Sequence, residues 1–259
     1  MRFDVLTLFP DLFGPFKSQG VLGRAVVEGR IELVTHDLRD WSGNRWGQVD
    51  DEPYGGGAGM VIQAPPVLSA VRQIRNEDPR EATVVLLSPR GRLLDQDVAA
   101  ELGARRRLIL LCGRYEGFDE RVVSILEPLE ISIGDFVLGG GEVAAMAVIE
   151  AVSRLEPGVV GDPDSVADDS FSNGLLDYPC FTRPLEVESL PVPEVLRSGH
   201  HDKIRRWRLE CSVEATVTRR PDLVKKNWKR YSVEVRRLVR RYALDVADAA
   251  ESSAEEETS

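Results

Sequence analysis

The chain has 259 residues, 42% of them hydrophobic and 29% charged, the make-up of a globular protein with room for one large domain and a small one. No apolar run reaches the roughly 18–20 residues a bilayer span needs, and the opening MRFDVLTLFPDLF lacks the basic-then-apolar layout of a signal peptide, so a cytoplasmic protein without a membrane partner is expected. Cys112, Cys180 and Cys211 are widely spaced, with no C-x-x-C pair and no histidine at ligand spacing, which excludes a disulfide framework and leaves no metal ligand set. The net charge of −10 is uneven: residues 197–242 carry +10, residues 243–259 carry −6 and residues 1–196 carry −14. Charges beyond about 10 Å are screened at physiological salt, so the basic block can hold a local field that suits a phosphate backbone.

In chain order, FDVLTLF (3–9), IELVTH (31–36), TVVLLS (83–88), RLILLC (107–112) and ISIGDFVL (131–138) read as strands. The runs at 83, 107 and 131 are nearly continuous in apolar residues, the pattern of strands covered on both faces in a parallel sheet. Helical patterns follow at 95–104, 118–126 and 142–155. The last is apolar nearly all round and has to be buried against the sheet or another subunit. Together these predict an α/β fold over residues 1–160. Residues 161–176, rich in Gly, Pro, Asp and Ser, read as an exposed linker. A small, mostly helical basic domain is expected over 177–243. There Val235, Leu238, Val239 and Tyr242 fall on one helical face and Arg236, Arg237, Arg240 and Arg241 largely on the other. Residues 244–259 are acidic and lack aromatics, which predicts a disordered tail.

Three glycine-bearing loops end successive strands: SPRG (88–91), CGRYEG (112–117) and IGDFVLGGGE (133–142). Open α/β sheets bind ligands at that edge, and glycines let backbone approach a ligand closely. No G-x-G-x-x-G follows the first strand and no P-loop is present, so dinucleotide and P-loop sites are disfavoured. A fourth cluster, VDDEPYGGGAGM (49–60), lies in a long aperiodic segment whose composition fits a functional loop and a disordered one equally.

These runs, with LFP (8–10), LSPRGRLLDQ (87–96), LILLCGRYEGFDERV (108–122), SIGDFVLGGGE (132–142), DDSFSNGLLDYP (168–179), YPCFTRP (178–184) and SGHHDKIRRWR (198–208), resemble the tRNA (guanine-N1-)-methyltransferase family over about residues 1–225. The resemblance implies a SPOUT-type parallel sheet with a deep trefoil knot at its C-terminal end. General connection rules treat knots as essentially absent, so this expectation rests wholly on the resemblance. It also implies S-adenosylmethionine as cofactor, with magnesium an open question. The substrate implied is a tRNA with guanine at position 37, and the assembly a homodimer.

Carried over by position, the cofactor site comprises Leu87, Ser88, Pro89, Gly91, Gly113, Tyr115, Glu116, Gly117, Ile133, Gly134, Asp135, Phe136, Val137, Leu138, Gly140 and Gly141. The implied catalytic residues are Asp169, as general base, and Arg154. Arg114, Asp50, Asp177 and Ser170 are candidates for binding substrate. Guanine N1 carries a proton at neutral pH, so attack on a methyl group requires a base, and charge gathering on O6 suits a guanidinium. On position alone, Asp169 also reads as a cap for the turn begun at Ser170, and Arg154 as a partner for a helix C-terminus. Three departures from the family pattern are Arg45-Trp46-Gly47 ahead of Val49-Asp50-Asp51, Ala144 where proline is common and Gly139 where serine is common. A knotted methyltransferase for another RNA, a small-molecule methyltransferase and a non-catalytic RNA-binding protein are the competing readings. The first two leave, respectively, the Asp169 segment and the basic block without a purpose.

Overall fold

The computed structural model describes residues 1–161 and 169–256. It separates into two units, Met1–Pro163 and Asp164–Ser259.

The first unit is built on a five-stranded sheet formed by β1 (Arg2–Thr7), β2 (Glu32–Asp37), β5 (Thr83–Leu93), β6 (Arg107–Cys112) and β7 (Leu129–Ser132). A separate two-stranded pair, β3 (Asp50–Asp51) and β4 (Val61–Ile62), is antiparallel. The main sheet runs β2-β1-β6-β5-β7 and every pairing in it is parallel. Its central strands β1 and β6 are buried at every residue, which accounts for their mostly apolar character outside Arg2, Asp4, Thr7 and Arg107.

Around the sheet lie α1 (Phe13–Phe16), α2 (Gly20–Val27), α3 (Ala64–Glu77), α4 (Gln96–Gly103), α5 (Glu120–Leu126) and α6 (Glu142–Ser153). Two cores result: α2, α4 and α6 pack with Val5, Leu108 and Leu110, and α3 and α5 pack with Leu6, Ile109 and Leu111. Alternate residues of β1 and β6 thus serve opposite faces. Helix α3 adds to the expected elements: Val67, Ala70, Val71 and Ile74 fall at i, i+3, i+4 and i+7 and are buried. The strand expected at 131–138 is shorter. It ends at Ser132, where Ser132 Oγ accepts from the Gly134 amide at 3.2 Å and turns the chain out of the sheet.

The amino-terminal end of the sheet carries a buried charge cluster. Asp4, in the middle of β1 and fully buried, accepts from Arg2 Nε at 2.9 Å and Nη2 at 2.7 Å, and from Arg107 Nε at 2.9 Å. His36 Nε2 lies 3.0 Å from its other side. Arg107, also fully buried, spends its remaining nitrogens on the carbonyls of Ile74 and Asp78, tying α3 to the sheet. Burial would raise the Asp4 carboxyl, but the bonds from His36, Arg2 and Arg107 outweigh it and hold the group well below the usual carboxylate range.

The second unit contains α7 (Glu194–Arg197), α8 (His201–Arg219), α9 (Pro221–Asn227), α10 (Val233–Tyr242) and α11 (Leu244–Glu256). Its core joins Leu175, Val213, Val224, Trp228, Leu238 and Val239. Two expectations change here. Residues 162–168 of the expected linker lie outside the described residues. Of its remainder, Phe171, Ser172 and Asn173 are exposed, but residues 174–176 are packed: Leu175 is 2% exposed, the Leu176 amide donates to Thr216 Oγ1 at 2.9 Å, and Tyr231 Oη donates to the Gly174 carbonyl at 2.7 Å. The expected disordered tail is helical through Glu256, with residues 257–259 outside the described residues. Ala247 and Ala250, three apart and both 0% exposed, let this helix approach α9 and α10 closely, so no large side chain was needed to hold it.

Candidate functional site

Parallel strands bring their following loops to one edge, and at the carboxyl edge of β5, β6 and β7 the loops enclose a cavity of about 500 Å³. Residues 86–90, 113–118, 131–134 and 136–141 line it, with Glu120, Val123 and Ala144. Every residue of the expected cofactor set lies on this lining except Gly91 and Asp135. For Gly91 the structure supplies a different reason: a side chain there would strike the backbone of Glu130 and Ile131, where β5 passes β7. Asp135 is exposed beside the cavity loop. The lining also includes Arg90, Phe118 and Glu120, which the sequence reading did not single out. They sit between or beside glycine motifs, and only the register of β5 and β6 brings them together.

The GRYEG loop is fixed by its neighbours. The Gly141 amide donates to the Gly113 carbonyl at 2.9 Å, and Arg114 and Gly140 form an antiparallel bridge. The fourth glycine cluster is anchored to the same loop, with the Glu116 amide donating to Met60 O at 3.1 Å and the Ile62 amide to Gly117 O at 2.9 Å. That segment, ambiguous in sequence, is thus fastened beside the cavity loop without itself lining the cavity, with Asp50 in β3. Cys112 lies behind it, fully buried. Burial, and then the nearby Glu142 charge, push its thiol up and disfavour the thiolate.

Arg114, a candidate for binding substrate, lines the cavity and is engaged by its neighbours. Its Nη2 lies 2.9 Å from Glu142 Oε2, its Nη1 donates to Gly139 O at 3.1 Å, and its guanidinium stacks 4.5 Å from the centre of the Phe9 ring. Arg90 is 3.2 Å from Glu120. Glu116 makes no ion pair among the described residues and is exposed at the cavity.

Arg154 caps the C-terminus of α6 in the first unit, its amide donating to Glu150 O at 3.1 Å and its side chain exposed. Asp169 belongs to the second unit, in a turn where its carbonyl accepts from the Ser172 amide at 3.2 Å. The structure joins two of the substrate candidates there: Ser170 Oγ accepts from the Asp177 amide at 3.0 Å. Among the described residues no group of His, Cys, Asp and Glu could hold a metal ion, and no helix is long and apolar enough to cross a membrane.

A parallel sheet whose carboxyl-edge loops enclose a cavity of this size, lined by apolar walls and a few convergent polar groups, defines an α/β enzyme of small-ligand type. Residues 1–226 match the family model described as tRNA (Guanine-1)-methyltransferase TrmD. A tRNA (guanine-N(1)-)-methyltransferase of Rhodopirellula baltica is 51% identical over 232 residues, covering 88% of this chain and 96% of the relative. One of the same name from Dehalococcoides mccartyi is 52% identical over 226 residues, 87% and 91% of the two chains, and one from Chloroflexus aggregans 51% over 224 residues, 86% and 88%. The chain belongs to the tRNA (guanine-1)-methyltransferase family and is an enzyme of that type.

Proposed function

We propose that the chain transfers a methyl group from S-adenosylmethionine to N1 of guanine 37 in tRNA. The observation that carries this reading is the carboxyl-edge cavity, formed by the three loops whose sequences also carry the family resemblance. The cavity's residues fit that cofactor. Its volume of about 500 Å³ lies within the range of small-molecule sites. Tyr115, Phe118, Ile133 and Leu138 supply apolar walls suited to a nucleoside, and the unpaired Glu116 carboxylate complements a cationic amino-acid portion. When bound, S-adenosylmethionine supplies an electrophilic methyl whose leaving group departs neutral, so no acid is required of the protein.

The protein's own contribution is to the base. Asp169 takes the N1 proton as the new bond forms, and Arg154 places charge-assisted donors at O6, where negative charge collects. Ser170 and Asp177, held together, sit in the same turn region and orient the guanine. The apolar helix α6 and the family resemblance lead us to assign a homodimer, with cofactor loops from one subunit and Asp169 from the other. Exposed Val143 on α6, 58% accessible, and the exposed Phe136 and Val137 support a covering partner. The close passage of residues 139–141 against 113 supports a trefoil knot in this region. Mass mapping of the methylated nucleoside in reacted tRNA tests the reading, with methyl on N1 of guanine expected; a methyl on ribose or on another base would favour a different RNA methyltransferase.

The basic helix α10 is assigned to the tRNA backbone, but its arginines are not equivalent. Arg240 is held by both oxygens of Glu251 at 2.9 and 2.7 Å, Arg241 lies 3.9 Å from Glu210, and Arg236 donates to the carbonyls of Trp228 and Lys229. Arg237 is exposed and makes no ion pair among the described residues. Arg237→Glu is therefore expected to lower the log–log salt slope of tRNA binding by about 0.7–0.9 while leaving S-adenosylmethionine affinity unchanged. An unchanged slope would remove α10 from the interface.

A further inference from the structure

Glu142 is a buried carboxylate that the chemistry above does not use. It stands in the first turn of α6 and is 1% exposed. Its Oε1 accepts from Thr7 Oγ1 at 2.8 Å, at the end of β1, and its Oε2 lies 2.9 Å from Arg114 Nη2. Arg114 in turn reaches Gly139 O and stacks on Phe9. One side chain thus links β1, α6, the loop after β6 and the loop after β7. The link is tight: a side chain at Gly140 would run into the Arg114 guanidinium, and one at Gly141 would meet Cys112 Cα at 2.8 Å. A buried carboxylate is retained only where a cation and hydrogen bonds compensate it, and here the helix N-terminus adds to both. A purely structural ion pair had no need to involve the residues that line the cavity, yet Arg114, Gly139, Gly140 and Gly141 all do.

We propose that Glu142 is a positioning residue for the methyl-donor site: through Arg114 it clasps residues 139–141 against 113–117 and fixes the cavity's shape before the cofactor enters. The inference rests on the S-adenosylmethionine reading for the identity of the ligand, and the clasp itself can be read without it. Glu142→Gln keeps the side chain's shape and an acceptor for Thr7 but removes the charge that holds Arg114. Calorimetric titration with S-adenosylmethionine is expected to show its Kd raised at least about tenfold, and kinetics a larger change in KM than in kcat. In the ligand-free protein, amide exchange at residues 113–117 and 139–141 is expected to quicken, while β1 and β6 keep their protection. The double variant Arg114→Met with Glu142→Gln, free of buried charge, is expected to regain the parental Tm but not the parental Kd. Parental exchange rates at the two loops in Glu142→Gln would overturn the clasp whether or not the cofactor binds. Parental Kd in either variant would overturn its role in the site. Quickened exchange in a protein whose parent fails to bind S-adenosylmethionine would uphold the clasp and overturn the cofactor reading.

Discussion

Asp169→Asn is expected to slow methyl transfer by on the order of 10²–10⁴, with the affinities for cofactor and tRNA nearly unchanged. The amide keeps the size and much of the hydrogen-bonding capacity of the carboxylate, so the turn in which the Asp169 carbonyl accepts from the Ser172 amide is preserved. What it loses is the ability to take the proton from guanine N1. The parental rate is expected to rise with pH as N1 becomes easier to deprotonate, and that of the asparagine variant, dependent on base already ionised in solution, to rise more steeply. Single-turnover kinetics are the measurement required, because steady-state rates can report product release. A variant with near-parental single-turnover rates at neutral pH would reduce Asp169 to a residue that shapes its turn.

The second large effect concerns the fold. Asp4→Asn is expected to destabilise the first unit by roughly 3–5 kcal/mol, the range for removing one partner of a buried ion pair. It leaves Arg107, fully buried, without the one carboxylate partner it has at hydrogen-bond distance among the described residues, and offers one acceptor oxygen where Arg2 and Arg107 now share two. The pH dependence follows the same carboxylate. Asp4 titrates lower in the folded chain than in the unfolded one, where its pKa is about 3.9. Its contribution is therefore fully present above about pH 4 and is lost as the pH falls toward the folded value. Denaturant unfolding at pH 7 and at successively lower pH should show a large deficit in the variant at neutrality that narrows in acid. A deficit below about 1 kcal/mol, or one independent of pH, would mean that the cluster does not hold the sheet.

Much of the first unit was legible in the sequence because parallel strands covered on both faces are nearly continuous in apolar residues, and the runs at 83, 107 and 131 carry that signature. Cross-strand relations were not legible. Asp4 interrupts an apolar run, and nothing along the chain says that Arg107, more than a hundred residues away, answers it; only the pairing of β1 with β6 does. The cavity was found from its glycines, since close backbone approach leaves a compositional trace. Arg90, Phe118 and Glu120 leave none. The contacts of Arg114 were equally hidden: nothing along the chain says that Glu142 and Gly139 engage it. The C-terminal helix was misread because acidity without aromatics is a signal of disorder in isolated segments. Ala247 and Ala250 pack it instead on a surface supplied by other helices.

The central claim, transfer to N1 of guanine 37, is tested most directly by single-turnover transfer of labelled methyl from S-adenosylmethionine to two unmodified tRNA transcripts that differ only in guanine or adenine at position 37. The account predicts one methyl per guanine-37 transcript, mapped to N1 of that base, and no transfer to the adenine-37 transcript. Equal labelling of both transcripts, or none of either, would contradict it.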